Sequence, residues 1–220
     1  MVTNNEIVCV TLNEDSVAQA LTLSEIFVNQ FPFSKTKINK SSDESDFENY
    51  RNNNFCGVCA EYALSQYLTG SCDAALLARL TGLKDGLPKG RPVDGGCDLR
   101  PDLDHQYAID CKARRNRAGE EWVPDLSLNL ILRSFELRSD KHVFVLAVVD
   151  DPLDGLDFCA VRSMKVRLIG WSRQQFISAN NGTFFGDYSK PASQLLPMSE
   201  LKIGKTLVSC KSSKGDSNAA

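Results

Sequence analysis

The sequence predicts an α/β fold, a mixed central β-sheet flanked by α-helices with an N-terminal addition, and three observations predict it. Phe55, Val58, Cys59 and Tyr62 fall at i, i+3, i+4 and i+7, the core-facing stripe of an amphipathic helix. Two short runs with strand character, Cys97 to Leu103 and Tyr107 to Ala113, are separated by polar residues that suit a turn. His142 to Val149, read as HVFVLAVV, is the near-continuous apolar run of a strand buried on both faces.

Taken in order, Glu6 to Leu12 reads as a strand. Asn13 or Asp15 then caps a helix to about Gln30, with Val17, Ala20, Leu21, Leu23, Ile26 and Phe27 on its apolar side. Pro32 ends it, and Ser34 to Ser45 is a polar connector without period. The striped helix runs from about Asp46 to Leu68 with Gly70 as its C-terminal cap. Asp73 caps a short helix through Leu83, and a Gly/Pro-rich loop from Lys84 to Gly96 leads to the hairpin. Leu126 to Leu137 fits both periods. Leu126, Leu128, Leu130 and Leu132 alternate like a strand, whereas Leu130, Ser134 and Leu137 suit a helix, and a helix after a short extended lead-in is favoured. Cys159 to Trp171 reads as a strand with a bend, and Ser172 as the cap of a short helix to about Ala179. Gly182 to Pro197 is expected as a loop, Met198 to Leu201 as a turn and Lys205 to Cys210 as a last strand.

Composition narrows the function classes. With 220 residues the chain can bury one good core, and its 42% hydrophobic and 24% charged residues are those of an ordinary globular protein. A net charge of −3 argues against coating nucleic acid by bulk electrostatics, though a local basic rim remains open. Lys84, Lys89 and Arg91 precede the hairpin, Arg114, Arg115 and Arg117 come after it, and Arg162, Lys165 and Arg167 lie further on. No apolar run approaches the length of a membrane span. Eight cysteines at irregular spacing, with no signal-peptide pattern, lead to an expectation of reduced thiols and a cytoplasmic location. Cys56-x-x-Cys59 has no second pair to complete a zinc site, and neither His105 nor His142 has the setting of a nucleophile's partner.

The chemistry is expected in the hairpin. Period-two alternation puts Asp110 and Lys112 on one strand face and Ile109 and Cys111 on the other. A turn centred on Asp104 sets Asp98 opposite Asp110, about 5 Å apart on a shared face. Asp102 in that register is about 13 Å from the level of Asp110 and is the weaker candidate. Two carboxylates that close repel, and a divalent cation relieves the repulsion. Hard oxygen ligands with open water positions suit Mg²⁺ or Mn²⁺, and an adjacent Lys112 can orient a water or stabilise charge on a phosphate. The plainer alternative for any Asp-x-Lys on a strand is a solvated pair, and for Glu61, beside the helical stripe, a solvated carboxylate.

Asp94-Gly-Gly-Cys-Asp98, then Ile109-Asp110-Cys111-Lys112, resembles the PD-(D/E)xK nuclease superfamily, the restriction-endonuclease-like fold, in its small phage and bacterial form. Cys111 stands where those relatives often carry Val, and Ala113 where they carry Thr. Gly57-Val-Cys-Ala-Glu61 resembles the G-x-x-x-E helix that precedes the catalytic hairpin in many of them. Trp122-Val-Pro, Asp140-Lys-His-Val-Phe-Val and Ile169-Gly-Trp171 look like further landmarks, so the resemblance covers about Phe55 to Leu201.

The resemblance implies a nuclease-like domain over residues 51–210, a family-specific addition over 1–50 and a disordered tail over 211–220. It implies metal-dependent hydrolysis of DNA, with Asp98, Asp110, Glu61 and the Cys111 carbonyl toward Mg²⁺ and Lys112 at the attacking water. Arg114, Arg115, Lys89 and Arg91 are the candidates for DNA contact. It also allows a homodimer, since many relatives cut both strands as dimers. The alternative is a binding protein on the same scaffold, without catalysis, that holds nucleic acid or a protein partner.

Overall fold

The computed structural model describes residues 6–30, 44–73, 75–76, 99, 108–117, 128–132, 141–151, 160–179 and 188–201. Strand β1, Val8–Leu12, buries Val10 and Leu12 by alternation. Asn13 then caps helix α1, Glu14–Gln30, its Oδ1 accepting from the Ser16 N–H at 2.9 Å. Glu14 and Asp15 place negative charge in the first turn, where the exposed N–H groups favour it. Val17, Ala20 and Leu23 of the expected stripe are buried, while Leu21 and Phe27 are half-buried, Ile26 is exposed and Val28, outside the stripe, is buried instead.

Helix α2, Glu44–Thr69, is the central support. Every residue from Phe55 to Ser65 except Gly57 is buried, because α1 covers one side of the helix and the sheet the other. Gly70 ends it with φ +82 and donates its N–H to the Gln66 carbonyl at 2.9 Å. Tyr62 joins the two helices, donating to Gln19 Oε1 at 3.0 Å.

Four strands form a mixed sheet in the order β1-β5-β4-β2, where β2 is Ala108–Arg117, β4 Lys141–Asp151 and β5 Met164–Arg173. β2 and β4 are parallel, and β5 is antiparallel to both β4 and β1. Val143 to Val149 are all buried, as expected of a strand covered on both faces. The expected bend in β5 is a register shift: Leu146 faces Gly170 while Ala147 faces Leu168. It turns Ile169 to one face while Leu168 and Trp171 keep to the other.

The faces of this sheet are covered differently. Ile109, Cys111, Val143, Val145 and Ala147 pack with α1 and α2. Phe144, Leu146, Val148 and Ile169 pack with Leu130, Leu132, Ile177, Ala192 and Leu195. Among the described residues that second cover is an antiparallel sheet, β3-β7-β6, of Asn129–Leu132, Tyr188–Pro191 and Ser178–Ala179. Helices flank one face and a small sheet the other.

Several expectations are corrected here. Leu126 to Leu137 is not a helix at its described positions: 129–132 are β3, with Leu130 and Leu132 buried, so the alternating pattern prevails. Ser172 is not a helix cap but lies inside β5, and the next element is a 3-10 turn, Gln174–Phe176, leading into β6. The expected loop Gly182 to Pro197 contains β7 and a 3-10 turn, Ala192–Gln194. Within the N-terminal addition, β1 pairs with β5 and α1 shares the core of α2. The expectations for 32–43, 77–98, 202–210 and the tail lie outside the described residues.

Candidate functional site

β2 brings Asp110 and Lys112 together. Ile109 and Cys111 are drawn into the core under the helices, so alternation sends Asp110, Lys112, Arg114 and Asn116 to the opposite face. Lys112 Nζ lies 3.0 Å from Asp110 Oδ2, with side-chain exposures of 21% and 1%. The pair is therefore not a solvated surface contact. Across the sheet Asp110 is level with Phe144 and then Ser172, and Lys112 with Leu146 and then Gly170.

The other side of β2 carries a decisive contact. Leu99 forms an antiparallel bridge with Ile109, its N–H donating to the Ile109 carbonyl at 3.1 Å and the Ile109 N–H donating back at 3.0 Å. This is the register expected from a turn centred on Asp104. Asp98 itself lies outside the described residues, as do Lys89, Arg91 and Asp102. The period of the backbone also turns the Cys111 carbonyl toward the Leu99 side, since Ile109 points its N–H and carbonyl there.

Glu61 is buried, 3% exposed, and so is not the solvated carboxylate of the plainer alternative. It sits on α2, which covers β2 from the side of Ile109 and Cys111. Among the described residues no cluster of three His, Cys, Asp or Glu is placed to hold a metal. Of the carboxylates expected at a metal, Asp110 is the one that the described residues place on this face of β2.

The two arginines part company. Arg115 is on the helix side and donates to Asn53 Oδ1 at 3.2 Å. Arg114 is exposed and shares the face of Asp110 and Lys112; partial desolvation lowers its pKa without removing an arginine's charge. Asn116 and Asp150, which sequence reading did not single out, extend that face. Asn116 Nδ2 donates to Asp150 Oδ1 at 2.9 Å, and Arg167 is ion-paired to the same carboxylate. Continuing the period of Asp110 four and six residues along β2 was the signal that could have found Asn116. The expected basic cluster at Arg162 is also engaged, its Nη1 2.8 Å from Glu14 Oε1.

Cys56, Cys59 and Cys111 are buried cysteines, and Cys9 is an exposed one. No helix among the described residues is long and apolar enough to cross a membrane. Comparison with protein-family models, with curated proteins and with solved structures finds no match.

Proposed function

We propose that the chain is a metal-dependent nuclease that hydrolyses phosphodiester bonds in DNA at Asp98, Asp110 and Lys112. The observation that carries this reading is the Leu99–Ile109 bridge beside the buried Asp110–Lys112 pair. A pair that exchanges both hydrogen bonds is succeeded by one that exchanges none, with closer side chains, about 4.5 Å between Cα atoms. Continued by one residue, that register pairs 98 with 110. Two carboxylates at that separation repel, and a bound Mg²⁺ or Mn²⁺ supplies the neutralising charge and polarises the phosphate.

The protein's own groups have distinct tasks in the proposal. Asp98 and Asp110 hold the cation, with the outward-turned Cys111 carbonyl as a further oxygen. Lys112, partly exposed, gives up its contact with Asp110 to orient the attacking water or to meet charge on the phosphate. Arg114 binds a substrate phosphate along the same face. Glu61 contributes a further carboxylate from α2. The Arg115–Asn53 tie fixes a common level. From it, eight helical residues to Glu61 span about 12 Å, and five extended residues to Asp110 about 16 Å. Glu61 serves the site if these two runs go the same way.

A second reading rests on the direct ion pair. Lys112 already neutralises Asp110, so the face could serve a protein that binds nucleic acid or a protein partner without cutting. Cleavage of supercoiled, linear, branched and single-stranded DNA decides between them, run with Mg²⁺ or Mn²⁺ against EDTA, Asp110→Ala and Lys112→Ala. Metal-dependent cutting lost in both variants supports the nuclease. No cutting by a folded, metal-insensitive chain supports the binding protein.

A further inference from the structure

Phe176 is the most exposed large apolar residue described, 54% exposed on the 3-10 turn after β5. Its neighbour Ile177 is buried, which pins the turn and leaves the ring outside. Lys190 of β7 holds its ammonium 5.6 Å from the ring centroid and donates to Ser172 Oγ at 3.1 Å. Its neighbours among the described residues are that hydroxyl and that ring, with no carboxylate within 4 Å. Partial desolvation lowers its pKa from the usual lysine value. A cation held by neutral partners keeps its charge for an incoming anion.

This pair belongs to the face of Asp110. Asp110, Phe144 and Ser172 stand in one row across β2, β4 and β5. Two strand spacings of about 4.8 Å put Ser172 roughly 10 Å from Asp110. Both lie at the end of the sheet where β2 and β4 begin and β5 ends.

We infer that Phe176 and Lys190 form a nucleotide subsite for a single-stranded segment of DNA, the ring stacking on a base and the ammonium meeting a phosphate. The inference rests on the nuclease reading for its place beside Asp110. An aromatic ring stacks directly on an unpaired base, whereas inside a duplex the base faces are covered by their neighbours and stacking on one costs a few kcal/mol of unstacking. The substrate class is therefore DNA with a single-stranded part.

The test is binding of a labelled single-stranded oligothymidylate and of a blunt hairpin duplex to the full chain in EDTA, read by fluorescence anisotropy. Phe176→Ala is expected to weaken single-strand binding about tenfold and leave duplex binding and the melting temperature unchanged, with Phe176→Trp restoring it. Lys190→Gln is expected to weaken single-strand binding and reduce its salt slope by about 0.7. Unchanged single-strand affinity in Phe176→Ala, an equal loss on both DNAs, or no binding to either overturns the subsite. The two readings fail separately. Binding through Phe176 without cleavage in Mg²⁺ overturns the nuclease and keeps the subsite, while cleavage with Phe176→Ala unimpaired on single strands does the reverse.

Discussion

Lys112 Nζ lies 3.0 Å from Asp110 Oδ2, yet the carboxylate is almost fully enclosed and the lysine reaches water. The two halves of the pair should therefore differ in what their loss costs. Lys112→Ala removes the cation beside a buried carboxylate and is expected to cost about 3 kcal/mol. Asp110→Asn keeps the shape and lets the lysine swing outward, for about 1 kcal/mol. Urea unfolding midpoints at constant m-value measure both. The reverse order would mean that the lysine is the more enclosed partner.

Divalent metal gives a second contrast. At a hundredfold excess over its dissociation constant, Mn²⁺ is expected to stabilise the wild type by about 2.7 kcal/mol, a rise of roughly 5–10 °C in melting temperature. EDTA should reverse the rise and Asp110→Asn abolish it. In Lys112→Ala the rise should be larger, because the metal takes over a neutralisation the lysine performed. A wild type indifferent to Mn²⁺ sinks the metal site.

Arg114 and Arg115 are adjacent in sequence and opposite in orientation, so DNA binding should separate them. Arg114→Ala is expected to weaken binding and to lower the salt slope by about one phosphate contact. Arg115→Ala, on the helix side of β2 where Arg115 bonds Asn53, should leave the slope alone. Equal effects in a salt titration would overturn the assignment of faces.

Gly57 and Gly70 should answer to alanine with opposite signs. A methyl at Gly57 meets nothing within 4 Å, so Gly57→Ala is expected to stabilise α2 by about 0.5–1 kcal/mol through helix propensity. Gly70 also has space, but at φ +82 a side chain is strained, and Gly70→Ala should cost about 1 kcal/mol. Denaturant unfolding of the two variants is the check.

What could be read from the sequence was local. The stripe of α2, the Asn13 cap, the buried run of β4 and the pairing of Asp110 with Lys112 each depend on a period within one element. The Leu99–Ile109 register was legible because the two residues are only about ten positions apart in sequence. What failed depended on distant partners. Leu130 fits a helix and a strand equally, and β7 across from it decides. Tyr188–Pro191 has no apolar alternation and becomes a strand because β3 and β6 flank it. Which side of β2 Glu61 occupies is set by where α2 packs, and no residue near Glu61 encodes that.

The pairing of β1 with β5 bears on how the chain is made. Roughly 150 residues separate the two strands, so at 5–20 residues per second β1 leaves the ribosome about 8–30 s before its neighbour exists. Val10 and Leu12, buried in the finished protein, stay exposed through that interval. The sheet can close at β1 only once β5 has emerged, and this late, long-range closure leaves β1 open to a chaperone or to aggregation in the meantime.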